Sequence, residues 1–494
     1  MRPGADDWRV RSLPGRRWVL AAGVLAVAAA LAFLPQTRPA ALMRDFNAFY
    51  CAGSALDRGA DPYRAEPLGT CERSPRPAWL NRGIPNLVAP APLPPYALAP
   101  FALLARLPYD VAAFAWGLAI LAALMSTVAV VRRMTALPLA GIIAAFVLGD
   151  GLAGWTLGQV APIAVAAIVF AAALVERGRD RAAAIAIAVA MIEPHVALPA
   201  ALVLFVWRPR ARVPLVIVAA GLAALSFATA GWALNLEYVR AVLPAHAVSE
   251  IASNRQLSLT NIAHRFGASD ALALRLGELS YVVMLVAGIV AAPFAARRVA
   301  CPALLVALPV ACGLVGGPFA HVVQTAAALP CALLLYARVP SLRAPLGIAV
   351  VALAIPWAQF SSLGAAFPLF AAIVAGVLTF VFIDRRPIIV AAAAAAAMLW
   401  LEAISAAVTQ RIPDPTALLA AAYDPHALAE ASWQLYVASV GTWDVLAFDL
   451  ARLPSWLGLV AVAAAGFGVA LQALRDTKMS APTKGELHLD SAGL

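Results

Sequence analysis

Residues 110–133 read DVAAFAWGLAILAALMSTVAVVRR: no charge from Val111 to Val131, then Arg132 and Arg133 in tandem. A helix crossing the hydrocarbon core of a bilayer needs roughly 20 apolar residues. Arginine pairs at the end of such a run mark the cytoplasmic side. This pattern recurs along the chain. Apolar runs fall at about 18–35, 110–131, 136–153, 159–175, 213–233, 277–296, 300–317, 320–337, 345–361, 366–383, 387–407 and 455–474. The expected architecture is therefore an all-α polytopic membrane protein with about twelve transmembrane helices.

Composition agrees. The 494 residues are 63% hydrophobic and 13% charged, against about 25% charged in a soluble domain. The formal charge of +10 is spread over short arginine clusters between apolar runs. It is not gathered on a soluble basic face, so nucleic acid is not the expected partner. No Walker A motif, no GxGxxG after a strand and no Cys/His cluster with metal spacing occurs. The sequence implies neither a cofactor nor a metal site.

With residues 1–17 in the cytoplasm, the clusters at Arg132–Arg133, Arg177–Arg181, Arg208–Arg212, Arg297–Arg298, Arg338/Arg343 and Arg385–Arg386 all fall on that side. The run from Trp18 to Leu34, preceded by Arg16 and Arg17, reads as an uncleaved signal anchor or as a signal peptide. Residues 182–206 begin and end at cytoplasmic arginines, so they cannot cross once. Glu193-Pro194 interrupts them, and proline breaks the helical ladder. Two half-helices in a re-entrant hairpin are expected. Residues 18–475 then form one transmembrane domain. Long extracytoplasmic loops are expected at 36–109, 234–276 and 408–454, with a cytoplasmic tail at 476–494. Both termini are expected in the cytoplasm of a cell whose inner (plasma) membrane holds the chain. In the first loop, the apolar piece Tyr96–Leu107 is too short to span.

The stretch after the first run carries the chemistry: Arg44-Asp45-Phe46-Asn47-Ala48-Phe49-Tyr50, then Gly59-Ala60-Asp61-Pro62-Tyr63. Asp45 reads either as the N-cap of a helix over 46–56 or as a base tuned by partial burial at the membrane face. Asp61 sits in a turn-like setting. Cys51 and Cys71 lie twenty positions apart in an oxidising compartment; they form a disulfide, or Cys51 packs on the helix. Residues 252–266 carry Asn254, Arg255, Gln256, Ser258, Asn261, His264 and Arg265: a polar site or a solvated amphipathic helix. His321 follows Gly316-Gly317-Pro318 and is a ligand or an interfacial histidine. Glu193 in an apolar run is functional by default, or faces the cytoplasm at a turn. Trp433, Trp443 and Trp456 read as an interfacial belt or as sugar-stacking rings.

The order of these pieces resembles glycosyltransferase family 87, membrane enzymes of the GT-C type that include polyprenol-phosphate-mannose-dependent mannosyltransferases. The carrying residues are Asp45-Phe46 with Phe49-Tyr50, Gly59 with Pro62-Tyr63, Leu93-Pro94-Pro95, Gly158-Gln159-Val160, Glu193-Pro194, Ser258-Leu259 and His321. Leu93, Ala161 and Glu193 depart from the family pattern, the last with inverted charge. The resemblance implies a GT-C-like bundle and transfer of a sugar, mannose by family, from a polyprenyl-phosphate donor. The acceptor would be a hydroxyl of a cell-envelope glycolipid or glycan. Asp45 would be the catalytic base of an inverting reaction. Arg44, Arg255, His264, Arg265 and His321 are candidates for the donor phosphate or sugar. Tyr50, Asp61, Tyr63, Gln159, Glu193, Asn254 and Ser258 are supporting candidates. A multi-span transporter or lipid flippase is the rival reading, since a broken helix suits one too.

Overall fold

The computed structural model describes residues 43–74, 87–253, 255–363, 367–409, 416–441 and 445–479. The expected first span at 18–35 and the tail beyond 479 lie outside them, as do Asn254 and Trp443. Among the described residues the fold is helical, with two isolated bridges, Arg64 to Leu428 and Gln256 to His321, and no strand.

Among the described residues, seven helices are long and apolar enough to cross a bilayer: Tyr109–Thr135, Leu139–Leu157, Pro209–Glu250, Asp270–Arg298, Pro340–Phe360, Pro387–Ala407 and Leu446–Asp476. Their outer faces carry large apolar side chains. Val213, Ile217 and Trp232 are 68%, 65% and 70% exposed. A soluble fold would bury such a belt.

Four other expected spans are shorter helices: Ala161–Glu176, Leu304–Gly316, Val322–Arg338 and Phe367–Phe382. Burial explains the difference. Leu304–Gly316 is buried at every position but Val315. A helix wrapped by protein need not match the bilayer's thickness, because neighbours satisfy its ends. The count of twelve read from apolar runs therefore mixes two kinds of helix.

Residues 182–206 break where the proline lies. Asp180–Ala190 and Pro194–Trp207 are separate helices around Met191–Glu193. Their outer ends meet: Arg208 Nη1 lies 3.9 Å from Asp180 Oδ1.

The second long loop is mostly helix. Pro209–Glu250 runs past the expected end near 233, bending at Gly231, whose φ is +67°. Only the strap 251–258 separates it from the next helix, Leu259–Arg265. The three expected loops pack on one another. Ala65 N donates to Ala427 O at 2.8 Å and Ala429 N to Tyr63 O at 2.9 Å. Arg64 pairs with Glu237. Trp433 Nε1 donates to Glu250 Oε1 at 2.5 Å.

In the first loop, Tyr96–Leu107 contributes the short helix Pro95–Leu104. It lies against Arg44–Asp57 so closely that a Cβ on Gly53 would overlap the Phe101 carbonyl carbon. Cys51 and Cys71 are bonded, tying Arg44–Asp57 to the helix Ala65–Arg73.

Candidate functional site

Asp45 lies in the first turn of Arg44–Asp57 and is not its cap. The cap position belongs to Met43, left-handed at φ 50°, whose N–H donates to Thr156 O at 2.6 Å. The helix start is thus pinned to the end of Leu139–Leu157. Gly158 makes this approach possible: its φ is +73°, and a Cβ there would sit 2.5 Å from Phe46 Cβ. Trp116 Nε1 holds Gly158 O at 2.8 Å. The next side chain, Gln159, then reaches Asp45, donating from Nε2 to Oδ2 at 2.5 Å.

The strap 251–258 brings the second group. Leu257 N donates to Ala320 O at 2.6 Å and Val322 N to Arg255 O at 3.2 Å. Arg255 and His321 therefore stand side by side. Fully buried Arg452 holds the strap from behind. Its Nη1 donates to Gln256 O at 2.9 Å and to Asn261 Oδ1 at 2.7 Å.

Asp45, Gln159, Glu193, Arg255 and His321 all line one cavity of about 590 Å³, walled elsewhere by apolar residues such as Leu157, Leu198 and Leu243. Burial raises the Asp45 carboxyl above the usual carboxylate range, against the opposing pull of Arg44, Gln159, Arg255 and His321. Burial likewise lowers Arg255, with neighbouring Arg44 adding to the effect. The Arg255 guanidinium has no ion pair or hydrogen bond among the described residues. Arg44 lies over Trp433 and Tyr436, 4.8 and 5.0 Å from the ring centroids. Its buried Nη2 has no hydrogen-bond partner. Two guanidiniums thus adjoin the cavity without a carboxylate of their own, an arrangement suited to an anionic ligand.

A polar rail continues from His321. The His321 backbone N donates to Gln324 Oε1 at 2.9 Å, and Gln324 Nε2 donates to Glu193 Oε1. Glu193 Oε2 is buried without a partner. Behind the His321 ring, Gln256 Nε2 approaches its Nε2 at 3.1 Å and Glu250 Oε2 stands at 3.9 Å. Gln324 N donates to His321 O at 2.9 Å at the start of the following 3-10 turn.

His264, Arg265, Ser258, Tyr50, Tyr63 and Asp61 lie outside the cavity lining. His264 Nδ1 lies 3.1 Å from Asp270 Oδ1, and Arg265 Nε 3.0 Å from Asp449 Oδ1; neither lines the cavity. Ser258 Oγ caps Leu259–Arg265 by accepting from Asn261 N at 3.3 Å. Tyr50 OH donates to Leu107 O at 2.9 Å, and Tyr63 OH to Leu93 O at 2.8 Å. Asp61 closes a turn, accepting from Tyr63 N at 2.9 Å and pairing with Arg64. Trp433, expected in an interfacial belt, faces the cavity.

Reading along the chain missed Glu250, His246 and Gln324. All three had a signal. His246 and Glu250 are four apart on one helix, hence on one face, and Gln324 sits three after His321, the spacing of a capping box. Among the described residues no three His, Cys, Asp or Glu side chains converge as a metal ligand set.

The model of glycosyltransferase family 87 matches residues 93–320. The resemblance read from the motifs thus holds over that segment, which implies a membrane glycosyltransferase. Gln159, Glu193 and Arg255 fall inside the matched segment. Asp45 precedes it and His321 follows it by one residue. No curated protein and no solved structure matches the chain.

Proposed function

We propose that this chain, read as a membrane glycosyltransferase from its family 87 match, moves a sugar from a polyprenyl-phosphate donor to an acceptor hydroxyl. The single observation that carries the reading is one cavity lined by the half-buried Asp45 carboxylate and by the Arg255 guanidinium, which forms no ion pair among the described residues, with Arg44 close by behind Trp433. Asp45 takes the acceptor's hydroxyl proton. The acceptor oxygen attacks the anomeric carbon, the bond from that carbon to the phosphate oxygen breaks, and configuration inverts. Arg255 and Arg44 offset the charge of the departing polyprenyl phosphate, as preorganised cations do wherever charge develops. Mannose is the sugar by family resemblance, and a cell-envelope glycolipid or glycan the acceptor.

The three packed loops carry this cavity on the extracytoplasmic face of the plasma membrane. The arginine clusters and both termini lie in the cytoplasm, and the broken pair around Glu193 is a re-entrant hairpin lining the cavity floor. The apolar walls take the donor's isoprenoid end. The test is incubation of the purified protein with a polyprenyl-phosphate sugar and a lipid acceptor. Glycosylated acceptor and free polyprenyl phosphate should form in equal amounts. No consumption of any lipid-linked sugar would oppose the reading.

A further inference from the structure

A second pocket lies at the other end of three helices, two of which begin at the cavity and one beside the helix that carries Asp45. Tyr109–Thr135 starts where Tyr109 packs 5.7 Å from Phe46. Ala161–Glu176 follows Gln159 and its cap Val160, and Val322–Arg338 follows His321. Sixteen residues of helix rise roughly 24 Å, so the far ends stand well away from Asp45. There Arg133, Arg177 and Arg338 surround a pocket of about 280 Å³ with Glu176 among them.

The charges do not cancel. Glu176 Oε2 accepts from Ala303 N at 2.9 Å, and its Oε1 lies 3.8 Å from Arg338 Nη2. Arg133 and Arg177 have no ion pair or hydrogen bond of their side chains among the described residues. Their helices end here, and the negative ends of the helix dipoles favour cations; yet a shared pocket asks more than three separate caps. Its flank is apolar. Met134 and Phe170 line it, and Phe170 is 42% exposed. Phe170 lies seven residues before Arg177, roughly 10 Å along the helix. Cationic groups at the end of apolar helices, with an exposed ring one and a half to two turns toward the bilayer, match a phosphate head with its acyl chains.

We infer that this pocket binds the headgroup phosphate of an anionic phospholipid, from the leaflet opposite the proposed reaction. The guanidiniums of Arg133 and Arg177 hold the phosphate, Arg338 adds charge, and the acyl chains run along Phe170. Basic pockets between spanning helices are suited to such headgroups. The site is separate from the proposed active site and does not depend on its chemistry.

The test uses the full-length protein in detergent, with lipid retention followed by native mass spectrometry and by thermal melting. The probes are phosphatidylglycerol, phosphatidylcholine and soluble glycerol 3-phosphate. Wild type should retain phosphatidylglycerol over phosphatidylcholine, and glycerol 3-phosphate should not stabilise it. Arg133→Gln and Arg177→Gln should each weaken retention about fivefold, and together about 25-fold. Both side chains are exposed, so each single variant keeps the test open if the double variant fails to fold. Arg132→Gln, next in sequence but outside the pocket lining, should change nothing. Equal retention of both lipids, equal loss in Arg132→Gln, or equally tight binding of glycerol 3-phosphate would each overturn the inference.

Discussion

Gln159 Nε2 donates to Asp45 Oδ2 across 114 positions of sequence, so the carboxylate's orientation is set from a different helix pair. A hydrogen bond to a charged group contributes about 1.5–3 kcal/mol. Gln159→Leu should therefore lower turnover by about 10- to 100-fold while leaving acceptor KM near wild type. The pH profile separates orientation from mere packing. The amide favours the ionised carboxylate, so its removal raises the Asp45 pKa further. A base must be ionised, hence the acid limb of activity should move to higher pH. An unmoved limb would mean that Gln159 acts only as structure.

Gly158→Ala tests how that pair is brought together. The added Cβ would clash with Phe46 Cβ at 2.5 Å and must adopt φ +73°. Overpacking costs about 1–3 kcal/mol, and the helix bearing Asp45 must shift. Gly59→Ala is the control: its φ is +69°, but nothing lies within 4 Å. Both variants should lose melting temperature, and only Gly158→Ala should lose turnover per folded molecule.

Asp45 also makes a stability prediction. Its folded pKa is raised by burial, so ionising it costs the folded state more than the unfolded one. The favourable share is complete below the unfolded pKa of about 3.9 and is lost as pH rises through the folded value. Asp45→Asn should therefore melt higher than wild type at neutral pH. The gap should close as pH falls toward about 4. A variant that melts lower at neutral pH would mean that the carboxylate stabilises the fold.

Arg255→Gln should weaken donor use. It removes a cavity-lining guanidinium without a partner but leaves the strap's backbone pairing to Val322 intact. Charge-assisted contacts to phosphate are about twice as strong as neutral ones. Donor KM should rise at least about tenfold, with little change for a neutral acceptor. Arg255→Lys should recover only part, because a lysine cannot reproduce the planar fork. Loss confined to acceptor KM would place the phosphate elsewhere.

Much of this site was legible where a local rule applied. Gly158-Gln159 was visible as a motif, and its glycine has a reason in the approach of Phe46. Glu193-Pro194 was visible because a proline must break its helix. Other features depend on contacts between distant segments. Nothing near Trp433 says that it turns inward to Glu250. His264 and Arg265 are as polar as Arg255, yet Asp270 and Asp449 take them up. Apolar runs such as 300–317 look like spans because composition cannot tell a helix facing lipid from one buried in the bundle. Asp45 also read as a cap, because both roles want an acid at a helix start; the structure gives the cap position to Met43, which removes the cap reading and does not test the base.

The proposal that Asp45 is the base is tested most directly by turnover of purified, folded Asp45→Asn with a polyprenyl-phosphate sugar. The substitution keeps shape and hydrogen bonding to Gln159 but removes the proton acceptor. General-base contributions run at about 10²–10⁴-fold, and loss of the main base should sit at or beyond the upper end. Asp61→Asn is the control, since Asp61 closes a turn and pairs with Arg64; it should lower folding yield and spare turnover per folded molecule. Near-normal turnover in Asp45→Asn, or a dead Asp61→Asn beside an active Asp45→Asn, would contradict the assignment.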